Sequence, residues 1–396
     1  MTEAAATPAS RAIEPAPPRF GPRELLAFIS ATMALMALAI DLMLPAFDDI
    51  RSDFGLDPDS GEAASVITVF FLGLAVAQVF YGPLADRFGR KPILYSGIIV
   101  YIAGAIGSAL APSFELLLVA RFVWGIGAAG SRVVAVAIVR DRFVGNQMAR
   151  AMSQIMAIFV LVPVFAPLVG ASIIAVAPWR AVFWFCVVWA VAIVWWSRRL
   201  PETLAPEDRR TLQLGSVLGG MGLVVRNRLA VGYTLAAVFL QAVFTAYLGS
   251  SELLISDILG RGDQFPIVFG GVAVFFGIAA LLNGRMVGIV GMHRVMAVAI
   301  RAYALCAFAL LGVTLLAGGT PGFWAFMPIL AVFLSLTMFL MPNLNTAALE
   351  PLGEVAGTAS SLTGAARMAG GALLAMIVDG WMDASSATPF AVGLAA

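Results

Sequence analysis

One carboxylate and four guanidinium groups stand inside otherwise apolar runs: Asp41 in "LAIDLMLPAF", Arg121 and Arg132 in "RFVWGIGAAGSR", Arg301 in "AVAIRAYALC" and Arg367 in "TGAARMAGG". A charge in such a run is costly, so ionisable side chains there pair, face a wet cavity, or handle protons and ions. An acid that can take and release a proton, near cations that can hold a polar cargo, suits moving a molecule rather than breaking its bonds. No metal-ligand cluster, phosphate-cradling glycine loop or nucleophile set accompanies them, and the single histidine, His293, stands at a helix end. An enzyme reading therefore has no support.

The elements that must position these residues are membrane helices. The 396-residue chain is 61% hydrophobic and 12% charged, with a mean hydropathy of +0.95, against about 45–50% apolar and 25% charged in ordinary globular proteins. Runs of about 20 apolar residues, enough to cross a bilayer, are read at 24–46, 62–85, 92–112, 114–139, 148–174, 179–197, 229–251, 265–287, 294–317, 322–345 and 355–379. A twelfth begins near 386, with room for about half a span. The expected fold is an all-α polytopic membrane protein of two six-helix bundles. Residues 1–22 form a flexible tail without a signal-peptide core, 23–197 the first bundle, 198–228 a linker and 229–396 the second.

Most of the 24 Lys and Arg fall in loops on one side if the N-terminus is cytoplasmic, as the positive-inside rule requires. Asp48, Asp49 and Asp53 then lie outside. The spacing of Gly82 and Gly89 recurs in Gly284 and Gly291, a weak internal repeat. Cys186 and Cys306 read as buried thiols, and a net charge of +1 points to no nucleic-acid partner.

On the spans above, Asp41 and Arg121 lie at similar depth, about 8–11 Å below the outer surface. They are expected to pair, either as a static lock between the first and fourth spans or as a couple whose changing distance moves a proton. Arg132 returns to within about 20° of the face carrying Arg121, so both cations are expected to point into one cavity, with Arg367 adding a third. Gln78, Trp124, Gln241, Asn343 and Asn345 complete the candidate substrate cavity, though helix–helix contact is the commoner use of such amides. A cavity with one carboxylate and several guanidinium groups disfavours a cationic drug. Neutral, zwitterionic or anionic cargo fits it better.

"YGPLADRFGRKP", residues 81–92, resembles the signature loop of the major facilitator superfamily. "DLMLPAFDDIRSDFG", "RFVWGIGAAG" and "VPVFAPLVGAS" resemble stretches of its drug:proton antiporter group, most of all the Bcr/CflA-type multidrug efflux transporters, over about residues 24–380. The resemblance implies a conformational latch at Gly82, Asp86, Arg87, Gly89, Arg90 and Lys91. It also implies a helix-5 antiporter motif at Pro163, Pro167 and Gly170, with Ala166 where that motif usually has Gly, and proton coupling through Asp41 and Arg121. The function implied is proton-coupled efflux of drugs or small amphipathic compounds across the cytoplasmic (inner) membrane by a monomer, with protons and the small molecule as partners and no cofactor. A uniporter or symporter of a small anionic metabolite is the alternative.

Overall fold

Proline and glycine set where several of the helices stop. The computed structural model describes residues 20–57, 61–143, 145–209, 222–382 and 385–395. Residues 1–19 of the expected tail and 210–221 of the expected linker lie outside the described residues. The first span is broken into α1 (Pro22–Asp41), a 3-10 turn (Leu44–Ala46) and α2 (Phe47–Phe54). Pro45 has no N–H to give the carbonyl of Asp41, which a continuing helix would require, so regular helix ends at Asp41.

There follow α3 (Ser65–Phe88), α4 (Arg90–Ala109), α5 (Phe114–Arg142), α6 (Gly145–Ile174) and α7 (Ala181–Ser197). The second half holds α8 (Arg228–Leu253), α9 (Phe265–Val290), α10 (Met292–Leu316), α11 (Phe323–Leu349), α12 (Ala356–Asp379) and α13 (Thr388–Ala395). Among the described residues, ten helices are long and apolar enough to cross a membrane, counting α1 and α2 together, and α7 is a shorter apolar helix. The eight-residue α13 packs on α10 where the short twelfth span is expected.

The helix starts follow local chemistry. The Asn227 side chain accepts from the Leu229 and Ala230 amides (3.1 and 3.0 Å) and caps α8, satisfying donors that a helix start leaves free. Gly89 between α3 and α4 (φ +102°) and Gly291 between α9 and α10 (φ +87°) adopt matching conformations that disfavour any residue with a Cβ. The weak sequence repeat is thus a repeated backbone turn.

In the first half α5 packs on α3 and α4, α4 on α7, and α1 on α6; in the second, α8 packs on α11 and α12, and α11 on α9 and α10. The halves meet along α3 with α12 and α6 with α9. By the repeat, α9 is the counterpart of α3 and α12 of α6, so the two contacts are crosswise equivalents. This is how halves of a transporter present a shared interface for a ligand.

Candidate functional site

Asp41 is the last residue of α1 and is 4% exposed. The expected ion pair with Arg121 does not form, and the reason is the helix break. Arg121, fully buried on α5, gives Nη1 to the Ala39 carbonyl (2.8 Å) and Nε to the Val66 carbonyl of α3 (3.1 Å). It also lies over the rings of Phe70 (4.7 Å) and Trp124 (4.8 Å). Main-chain oxygen near the broken end of α1 competes successfully for the guanidinium.

Asp41 instead lies within electrostatic reach of Tyr247 on α8, the helix on which the Leu44–Ala46 turn packs. The Tyr247 hydroxyl is buried without a hydrogen-bond partner, and its ring stacks on Phe269 at 5.6 Å. The helix-5 motif supports the same break. A Cβ on Gly170 of α6 would run into the Leu42 carbonyl, so glycine permits the close approach there, while Pro163 and Pro167 lie inside α6.

The end of the bundle holding Asp86 to Lys91 is the latch end, and the opposite end is the far end. Arg90 is bound by Asp86 (2.5 Å) and by Asp141 at the end of α5 (2.9 Å). The Glu202 carboxylate accepts from the Arg90 and Lys91 amides (2.8 and 3.0 Å), and Lys91 Nζ donates to the Leu200 carbonyl (2.7 Å). Arg87 lies over Phe88 at 5.2 Å, and Gly82 faces Ser361 of α12. Asp141 and Glu202 are partners of this loop that sequence reading missed, since neither lies near it in sequence. Glu202 acts as a cap supplied from another segment, an acid at a helix N-terminus. Replacing it with Ala is expected to cost about 0.5–2 kcal/mol, read as a lowered thermal unfolding midpoint in detergent.

At the far end Arg51 of α2 pairs with Glu252 of α8 (2.8 Å), both buried, and with Asp48. Ser250 donates to Asp379 Oδ1 (3.0 Å), and Asp379 Oδ2 is buried without a partner. The Arg51–Glu252 pair ties the halves together, while Ser250 and Asp379 join α8 to α12 within the second half. Sequence reading placed Asp48 outside with its acidic neighbours and gave Glu252 and Asp379 no role. Their sole signal was an acid at the end of an apolar span.

Midway along the helices, Arg132 of α5 donates to Gln78 Oε1 of α3 (3.4 Å) and reaches the Met368 sulfur of α12 (3.9 Å). Arg367 donates to Gln241 Oε1 of α8, whose Nε2 donates to Thr245 (3.2 Å). Gln78, Arg132, Gln241 and Arg367 are therefore brought together. Trp124 is not with them: it is fully buried within the first half, edge-on to Phe70, Tyr101 and Phe183. Arg121 is likewise enclosed, so the two α5 cations do not share a cavity. Asn343 is buried, donating to Asn283 (2.9 Å) and the Phe339 carbonyl (2.7 Å), which makes it a bond between α11 and α9. Asn345 is half-buried on α11.

The family model for the Major Facilitator Superfamily matches residues 27–375. A bicyclomycin resistance protein homolog of Haemophilus influenzae is 31% identical over 91% of this chain and 90% of its own. The multidrug resistance protein MdtL of Shigella dysenteriae is 28% identical over 61% of this chain and 62% of its own. Among solved structures, a D-xylose-proton symporter superposes with a TM-score of 0.68 at 16% identity, over 88% of each chain.

Proposed function

The chain belongs to the major facilitator superfamily, and on that premise we propose that it exports drugs or related small amphipathic compounds in exchange for protons, by alternating access. Kinship with a resistance protein along nearly the whole chain supports drug efflux. The observation that carries the proton coupling is Asp41: buried, without a cation, at a break in α1, and within electrostatic reach of Tyr247 of the other half. Such a group changes its surroundings whenever the halves move, and a proton is the partner that can follow that change.

The latch end, with Arg87, Arg90, Lys91, Arg140, Arg142, Arg198 and Arg199, is the cytoplasmic face on the positive-inside argument, in the cytoplasmic membrane. The far end then faces the outside. Residues 198–228 serve as the linker between two bundles in a monomeric transporter.

The test is proton release from purified protein in proteoliposomes on addition of amphipathic dyes. Dye moving against the proton flux is expected. Cargo moving with protons, or with none, sinks the efflux reading in favour of a symporter or uniporter of a small anionic metabolite, which Arg132 and Arg367 favour.

A further inference from the structure

Arg132 and Arg367 approach one another from opposite halves. Each lies about 15–16 Å along its helix from the latch end, so they share a depth near the middle of a hydrocarbon core about 30 Å thick. They are close enough to repel, and Arg132 touches Met368, the residue next to Arg367. Among the described residues neither forms an ion pair.

Their partners are neutral: one amide oxygen from Gln78, one from Gln241, and a thioether. Arg367 is 9% exposed, and its Nε is buried with no partner. A buried guanidinium is ordinarily matched by a carboxylate, because amide dipoles do not cancel its charge. Arg121 is different, being enclosed by main-chain oxygens and aromatic rings within one half. Arg132 and Arg367 stand where the halves meet, with donors to spare and no protein anion to receive them.

We propose that Arg132 and Arg367 bind an acidic group, a carboxylate or phosphate, carried by the exported compound. This rests on the transport reading above and names its substrate class. Guanidinium groups hold such oxyanions with paired N–H donors, and one on each half lets the cargo neutralise the repulsion between them. A cationic amphiphile of the same size meets two like charges instead.

The test uses the full chain in phosphatidylcholine nanodiscs and two dyes with one xanthene skeleton, anionic fluorescein and cationic rhodamine 6G, followed by fluorescence polarisation. Fluorescein is expected to bind at least about tenfold more tightly. That preference should vanish in the Arg132→Gln/Arg367→Gln double variant and survive in the Arg132→Lys/Arg367→Lys variant, which keeps the charge if the Gln variant misfolds. Equal or tighter rhodamine binding, no fluorescein binding, or an unchanged preference in a folded Gln variant overturns the proposal. Displacement of bound fluorescein by phosphatidylglycerol added to the nanodisc also overturns it, by making a lipid headgroup the occupant. The transport reading fails separately: fluorescein preference without dye-driven proton release keeps the anion site and removes the antiport, whereas proton release by rhodamine 6G with no anion preference does the reverse.

Discussion

Replacing Asp41 with Asn is expected to lower proton-driven export at least about tenfold while leaving the protein as stable as before. Asn matches Asp in shape and cannot cycle a proton. Removing one partner of a buried ion pair costs about 3–5 kcal/mol, because the other charge is orphaned. Arg121 would not be orphaned, since its hydrogen bonds go to the carbonyls of Ala39 and Val66. Thermal unfolding of the variant should therefore move little, while dye-driven proton release in proteoliposomes is lost. Proton release at the normal rate would reject Asp41 as the coupling group, and a large drop in stability would restore the ion pair.

The opposite pattern is expected of Arg121→Ala. It leaves the Ala39 carbonyl, in the last turn of α1, without a donor at about 1–3 kcal/mol, takes a second bond from the Val66 carbonyl, which keeps its helix donor, and removes contacts with Phe70 and Trp124 worth about 0.5–2 kcal/mol each. A loss on the order of 2–7 kcal/mol follows, seen as a large fall in folded yield and unfolding midpoint. Arg121→Lys should recover only part, because an ammonium lacks the planar fork that reaches two carbonyls at once. In a double-mutant cycle, Arg121→Lys and Asp41→Asn should add within about 0.5 kcal/mol in stability, as for sites with no shared partner. A coupling well beyond that would mean that the two side chains do meet.

The contrast shows what the sequence could reveal. Helix number, the short last segment and the turn between α3 and α4 were legible because each rests on local chemistry: apolar length, a glycine where φ must be positive, and an acid one turn before Arg90. The angular estimate for α5 also had content, since Arg121 and Arg132 both reach α3, at Val66 and Gln78. Depth alone misled. Two residues at one level pair only if nothing nearer competes, and the competitor was backbone oxygen, which has no side-chain signature. Trp124 looked like a cavity wall because an aromatic beside an arginine suits a ligand equally well; its enclosure by Tyr101 and Phe183 depends on contacts from α4 and α7. Asp141, Glu202, Glu252 and Asp379 were hidden for the same reason, since their partners come from distant parts of the chain.

The interruption between α1 and α2 makes a mechanical element of the chain around Asp41. A continuous helix would carry a disturbance at Asp41 as a rigid rod. Here a fulcrum of five residues separates Asp41 from a stiff arm about 12 Å long, and Arg51 on that arm grips Glu252 of the opposite half. A small rotation at the fulcrum, where Gly170 touches Leu42, sweeps the tip of the arm through a larger arc. On the coupling proposed for Asp41, a change at one end of this short lever is felt as a tug at the clasp at the far end.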